Sequence, residues 1–271
     1  MNIIKKIFFL IAIAIMFNSC EEVINVELNN AAPQIVIEGV VTDRDGPYTI
    51  KISKTGNYFE PNVFPPVTGA VVVISDNTGN TDSLIETTAG SYQTTKLKGV
   101  IGNTYNLTVN IDGKEYKSFS TMLSPTFIDS LTYKFNPNTG PGQGKNGGYD
   151  LHCYFKDKPE IRDYALLKLY VNGKKDDSYF LYTGKYNSSE FVDYNRFRQR
   201  FQKNDTVKIE LMNIEPSAYD YFSTLNNIMA GEGMRGIVST GTPANPNTNI
   251  SNGALGYFTA YSVQSDSVII K

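Results

Sequence analysis

Covalent chemistry in this 271-residue chain depends on few side chains, because the chain has two cysteines and one histidine. The histidine, His152, directly precedes one of the cysteines, Cys153, in the apolar run DLHCYF. Nucleophilic catalysis would need the imidazole to reach the thiol. The run reads as a strand, and adjacent strand residues point to opposite faces of a sheet. We therefore expect His152 and Cys153 to be structural, and we assign no catalytic residue.

The other cysteine, Cys20, stands at the end of an apolar run that follows a pair of lysines. Residues 7–17 have the length of a secretory signal core and are too short to span a bilayer, which takes about 20 residues. The stretch FNSC resembles a relaxed bacterial lipobox, in which the cysteine thiol is acylated and becomes the new N-terminus. An ordinary signal peptide with an incidental cysteine is the alternative. We predict a lipoprotein signal over residues 1–19 and a lipid such as palmitate on Cys20.

Two acids, Glu21 and Glu22, follow this cysteine directly. Their position resembles the export signal that carries Bacteroidota-type lipoproteins to the outer face of the outer membrane. The alternative is a solvated tether that happens to be acidic. We predict a tether over residues 20–32 and a lipid-anchored protein in the outer membrane that faces the cell exterior.

A basic and aromatic stretch, YNRFRQRFQKND over residues 194–205, is the candidate binding surface. Arg196, Arg198 and Arg200 alternate there with other residues, so a strand would place them on one face. Together with Phe197 they could bind an anion, a glycan or a partner protein. The alternative is a solvated strand face over a core-facing Phe197.

Metal chemistry has little support in the sequence, because a single histidine excludes the commonest zinc arrangements. Calcium needs only oxygen ligands, which Asp43 and Asp45 in TDRDG or Asp176 and Asp177 in KKDDS could contribute. An Asp-Gly pair in a hairpin is far more often simply a turn. We predict no metal site and no cofactor, and the net charge of −2 gives no indication of nucleic-acid binding.

The elements that must position these residues are mainly strands, because the chain has 18 tyrosines and 15 phenylalanines among many β-branched residues. Runs with period two predict a hairpin from residues 34–41 and 48–55. Short strands separated by turns predict an immunoglobulin-like β-sandwich over residues 33–123. A second antiparallel β-domain follows over residues 124–271, and an apolar stripe predicts one short α-helix near residues 216–230. The fold class is therefore mainly all-β.

Several phrases resemble known families. GAVVVISDNTG and GNTYNLTVNIDGKEY resemble the sandwich modules of carboxypeptidase regulatory-like domains. Together with IVIEGVVTDRDGPYTIKISKT, IDSL, SAYDYF and NISNGALGYFTAYS, in this order, they are similar to the domain of unknown function 4249 family. This resemblance implies a surface lipoprotein with two β-domains that accompanies a TonB-dependent transporter, and it transfers no catalytic residue.

Three functions are compatible with these observations. The first is a non-enzymatic binding or accessory lipoprotein that works with a TonB-dependent transporter in nutrient capture, with a glycan or peptide as ligand. The second is a secreted surface hydrolase that acts on glycans or peptides, which would need an acid pair or an activated serine in a pocket. The third is a structural or adhesive surface protein. The absence of a catalytic motif favours the first.

Overall fold

Alternating apolar and polar residues build most of this molecule, as the sequence predicted. A computed structural model describes residues 32–56, 63–138, 147–157, 163–186, 189–233 and 245–271. These ranges contain seventeen strands and a single α-helix, which confirms the mainly all-β prediction. Among them no helix combines the length and apolarity needed to cross a membrane.

Two sheets enclose the first core. One consists of β1 (Ile35–Thr42), β2 (Thr49–Lys54), β5 (Ile85–Thr88), β6 (Ser91–Gln93) and β16 (Leu255–Tyr261), in the order β16–β1–β2–β6–β5. The other consists of β3 (Val71–Asp76), β4 (Thr81–Ser83), β7 (Thr104–Ile111) and β8 (Lys114–Thr121), in the order β4–β3–β7–β8. Every second residue of these strands points inward, and Ile37, Ile50, Ile74, Tyr105 and Leu107 are almost completely buried there.

Two further sheets enclose a second core. The first consists of β9 (Ile128–Asn136), β10 (Gly148–Lys156) and β14 (Phe191–Tyr194), in the order β14–β10–β9. The second consists of β11 (Tyr164–Val171), β12 (Lys174–Lys175), β13 (Phe180–Thr183), β15 (Thr206–Asn213) and β17 (Val263–Ile269). Here β11 pairs with β12, β13 and β15, and β15 pairs with β17. Leu151, Cys153, Leu167, Leu169 and Ile209 lie between the two sheets.

The helix α1 (Pro216–Gly233) begins at the proline that the sequence indicated and extends beyond the predicted end near residue 230. A one-turn 3₁₀-helix lies at Gly184–Tyr186. The apolar side of α1 packs against strands, which agrees with the amphipathic stripe, and its contacts come from both halves of the chain. Ala218 and Phe222 contact a cluster that contains Leu166 and Met212 from the second half and Tyr261 from β16.

Strand β16 departs from the predicted domain plan. It belongs to the last part of the chain, which the sequence assigned to a second domain, yet it pairs in parallel with β1 in the first sheet. Residues 33–271 consequently form one compact unit. Local turn signals predict a boundary at residue 124, but such signals do not specify which distant strand completes a sheet.

Gly256 allows β16 to approach β1. It has a φ of +95°, and a Cβ atom at this position would overlap the carbonyl oxygen of Ile37. Gly253 also has a positive φ, of +74°, but a Cβ atom there would meet nothing within 4 Å. The two glycines therefore share a backbone requirement and differ in the space around them.

We expect Gly256→Ala to lower the free energy of unfolding by more than about 3 kcal/mol, because it adds a backbone clash to the left-handed conformation. Gly253→Ala is the matched control and should cost about 1–2 kcal/mol for the conformation alone. Urea denaturation of both variants measures the difference. Equal losses would show that the approach of β16 to β1 tolerates a methyl group.

Candidate functional site

The residues predicted to anchor the protein, Cys20, Glu21 and Glu22, lie outside the described residues. The lipidation and the surface-export signal therefore stay predictions.

His152 and Cys153 lie on opposite faces of β10, as expected for adjacent strand residues. Cys153 is fully buried, and burial raises the pKa of its thiol to about 12, so the thiolate is scarce at neutral pH. His152 faces outward, where its Nδ1 lies 2.9 Å from Oδ1 of Asp193. Its ring stacks near Tyr154, with centroids 6.2 Å apart. Nδ1 of His152 also lies 3.0 Å from Oδ2 of Asp193. Within the described residues Asp193 is the only hydrogen-bond partner of His152, so this pair lacks the nucleophile that a catalytic triad requires.

The prediction that the basic stretch over residues 194–205 forms a strand is wrong. Strand β14 ends at Tyr194, and residues 195–200 are irregular until Phe201 makes a single bridge to Tyr149. Because the segment has no strand ladder, the three arginines do not share a face. Phe197 instead packs edge-on against Phe180 and Tyr194, with centroids 5.2 and 5.3 Å away. The alternative that placed Phe197 toward the core is therefore correct for this side chain.

The three arginines have different environments. Arg200 has a side chain only 9% exposed, and its Nε donates to Oδ1 of Asp150 at 3.0 Å. Its Nη1 also donates to the carbonyl oxygen of Asn138. Arg200 is therefore a structural residue that fastens the irregular segment to β10. Arg196 and Arg198 are exposed.

Among the described residues of the predicted binding stretch, Arg196 lines a cleft. The cleft lies beside the strands β13 and β14, which belong to the two facing sheets of the second core, and it encloses about 340 Å³. This volume is at the lower end of the range for small-ligand sites. We call it the edge cleft, and its lining consists of Leu181, Tyr182, Thr183, Phe191, Val192, Asp193, Tyr194, Arg196 and Tyr219.

Rigid neighbours hold the aromatic walls of the edge cleft. Tyr182 donates its hydroxyl proton to Asp157 at 2.5 Å, and its ring meets Phe155 edge-on at 5.2 Å. Tyr219, in the first turn of α1, lies against Tyr164 of β11 with centroids 4.7 Å apart. The walls are therefore held by a partly buried hydrogen bond and by ring packing.

Charges of both signs stand at the edge cleft. Arg196 and Asp193 contribute one cation and one carboxylate, and Phe191 is 61% exposed with the ammonium of Lys156 5.2 Å from its ring centroid. Burial raises the pKa of Tyr194 to about 12. The nearby positive charge of Arg196 acts in the opposite direction and lowers this pKa. Aromatic faces with a few fixed polar groups suit a ligand that presents both apolar patches and hydrogen-bonding groups.

Sequence reasoning identified Arg196 but missed the aromatic walls. Tyr182, Phe191 and Tyr219 come from β13, β14 and α1, which are separate in the chain. No local spacing joins them, because the cleft depends on how the edges of two sheets meet. The one available signal was the concentration of aromatic residues in residues 179–197.

The aspartates considered for calcium have other roles. Oδ1 of Asp43 accepts from the backbone N–H of Val263 at 2.9 Å, and Oδ1 of Asp176 accepts from the backbone N–H of Ser178 at 2.7 Å. The second contact is the local turn that aspartate often forms. Within the described ranges no group of three or more histidine, cysteine or carboxylate side chains could hold a metal ion.

Two other concave regions have polar groups that the protein already uses. A groove beside Phe119 contains Ser118, which donates to the carbonyl oxygen of Asn249 at 2.9 Å. A depression beside Asp82 contains a carboxylate that accepts from Thr95 at 2.7 Å and from the backbone N–H of Leu97 at 2.8 Å. These groups fasten loops to sheets. In the edge cleft Asp193 is likewise bonded to His152, but Arg196 has no hydrogen bond or ion pair within the described residues, so the edge cleft is the better candidate for a ligand site.

The sequence matches the family described as Domain of unknown function (DUF4249) over residues 21–267. The chain belongs to this family. The resemblance drawn from the order of its sequence phrases is thereby confirmed. A search of curated proteins finds no match. The description of the family names no activity, ligand or partner.

We expect Arg200→Gln to lower the free energy of unfolding by about 1–3 kcal/mol, because it removes the charged donor that fastens the segment to Asp150 and Asn138. The matched control is Arg198→Gln, which changes an exposed arginine in the same segment and should stay within about 0.5 kcal/mol. Urea denaturation followed by tyrosine fluorescence measures both. Similar losses in the two variants would contradict the structural role of Arg200.

Proposed function

We propose that this DUF4249 protein is a non-enzymatic lipoprotein of the outer membrane that acts as a binding or accessory subunit of a TonB-dependent transporter. The observation that carries the binding role is the edge cleft, with aromatic walls from three elements and the pair Arg196 and Asp193 beside them. In this proposal the protein captures a nutrient at the cell exterior and presents it to the transporter.

The chemistry of the edge cleft supports a glycan or a peptide as ligand. Tyrosine and phenylalanine rings offer broad apolar faces at low conformational cost, and tyrosine adds a hydroxyl group. A guanidinium and a carboxylate can hydrogen-bond the hydroxyl groups of a sugar or the amides of a peptide. Because sheets and a helix hold the walls, the cleft is preformed, which reduces the entropic cost of binding.

The anchoring part of the proposal rests on the FNSCEE stretch and gains support from the state of the other cysteine. Cys153 is fully buried and free. Cys20 is then the thiol that an acyl transferase could reach in the folded protein. Glu21 and Glu22, directly after it, support transfer to the outer face of the membrane.

Cys20→Ala should abolish incorporation of an alkyne palmitate analogue and release the protein from the membrane fraction, because it removes the acylated thiol. Cys153→Ala is the matched control and should keep both labelling and sedimentation. In-gel fluorescence after click labelling in the native host provides the measurement. Labelling that persists in Cys20→Ala would refute the proposed anchor.

A tagged protein purified from its native outer membrane in mild detergent should carry a TonB-dependent barrel in stoichiometric amount. The combined change Arg196→Ala and Phe191→Ala should retain the barrel but lose the ligand, because both exposed residues line the edge cleft. Arg198→Ala is the control outside the cleft. Mass spectrometry of the complex and of its bound small molecules provides the measurement. Recovery of the lipoprotein without a barrel would contradict the accessory role, and ligand retained by the combined variant would contradict the cleft.

A further inference from the structure

A group of charged residues lies on the outer face of the sheet that contains β11 and β15, away from the edge cleft. Lys168 on β11 stands opposite Glu210 on β15, and Tyr170 stands opposite Lys208. Arg44, from the turn between β1 and β2, reaches this face and contacts Glu210. The group therefore joins residues from two distant parts of the chain.

Glu210 uses both of its oxygens within this group. Oε1 accepts from Arg44 at 3.0 Å and from Lys208 at 2.9 Å, and Oε2 accepts from the hydroxyl of Tyr170 at 3.0 Å. Burial raises the pKa of Glu210, but these hydrogen bonds outweigh the burial and lower it below its ordinary value. Glu210 is therefore ionised at neutral pH, and its negative charge is already shared by two cations.

Lys168 is the third cation of the group, and Glu210 accepts no hydrogen bond from it. Its Nζ donates to the hydroxyl oxygen of Tyr261 at 3.1 Å and lies 5.4 Å from the centroid of that ring. No carboxylate of the described residues lies within 4.0 Å of this ammonium. Burial lowers the pKa of Lys168, and the neighbouring charge of Arg44 lowers it further against the opposing effect of Glu210.

The charges of the group do not balance. Arg44, Lys168 and Lys208 give three positive charges, and Glu210 gives one negative charge. Asp43 accepts a hydrogen bond from the backbone N–H of Val263 in the same region. With its carboxylate included, the net charge of the group is +1. A partly buried ammonium without a counter-ion is costly, and an anion that enters its site offsets this cost.

We propose that Arg44, Lys168 and Tyr261 form an oxyanion recess, a site that binds a carboxylate or phosphate group of a small ligand. Lys168 supplies the charge, and it has protons beyond the one that it donates to Tyr261. Arg44 has a side chain 47% exposed and uses only Nη1 toward Glu210, so its other N–H groups are available to an incoming anion. The hydroxyl of Tyr261 accepts from Lys168 and keeps its own proton for donation.

The recess is partly preformed by the fold. Lys168 extends from a central strand, and Tyr261 is only 4% exposed at the end of β16. Arg44 is held by Glu210, whose position on β15 is fixed by pairing on both sides. The inference depends neither on a lipid anchor nor on a ligand in the edge cleft.

Calorimetric titration of the full-length protein in detergent tests this inference, with sodium phosphate and sodium acetate as probes. Sodium chloride keeps the ionic strength the same in every titration. A difference in heat between the probes then reports binding and not the screening of charges. We expect saturable binding of at least one probe in the millimolar range. Binding of phosphate alone would assign a phosphate-bearing ligand, and binding of acetate alone would assign a carboxylate-bearing ligand.

The variants locate the site. Lys168→Gln should weaken binding at least tenfold, and Tyr261→Phe should weaken it severalfold while keeping the ring. Lys134→Gln is the matched control, because Lys134 is exposed on β9 in a different sheet, and it should stay within twofold of the parent. If Lys168→Gln fails to fold, Arg44→Gln provides the same test from an exposed turn. Absence of saturable binding for both probes, or equal affinity in the Lys168 or Arg44 variant, would overturn the proposal.

Discussion

The parallel pairing of β1 with β16 is the constraint on which the rest of this structure depends. It brings a strand from near the C-terminus into the first sheet, next to a strand that begins at Ile35. The chain between them must therefore leave the first sandwich, build the second and return. The backbone N–H of Ala260 donates to Ser120 at 2.9 Å, and a bridge joins Tyr261 to Leu123, so the returning strand is fastened on more than one side. Gly256 permits the close approach that this pairing requires.

The same pairing creates the surface on which the helix lies. Tyr257 and Tyr261 of β16 project from the outer face of the first sheet, and Tyr257 meets Tyr221 and Phe222 of α1 at 4.6 and 5.0 Å. Burial raises the pKa of Tyr257 and Tyr221 well above their ordinary values. A helix whose apolar stripe was visible in the sequence thus finds its partner only after a distant strand has joined the first sheet.

Sequence patterns predicted the local parts of this molecule and failed where contacts are remote. The hairpin of β1 and β2 follows from the alternation of apolar and polar residues within each strand, which acts within a few residues. The prediction for the arginine-rich segment was wrong. Residues two positions apart share a face only if the segment is a strand, and this spacing alone does not make it a strand. There Phe197 turns toward the core against Phe180 and Arg200 pairs with Asp150, and both partners lie in other strands. The contact of Arg44 with Glu210 spans 166 positions and has no local signal at all.

Strand β11 connects the edge cleft with the oxyanion recess. At the edge cleft, Tyr164 supports Tyr219 and Ala165 pairs with Tyr182. Lys168, in the oxyanion recess, lies four residues beyond Tyr164, which is about 13 Å along the strand at roughly 3.3 Å per residue. The alternate residues Leu167 and Leu169 point to the second core and are fully buried. Because successive residues face opposite sides, the outward positions can differ in chemistry without altering the packing beneath them. Both candidate sites therefore rest on a rigid strand, and their ligand preferences can change by substitution of outward side chains while the two cores stay intact.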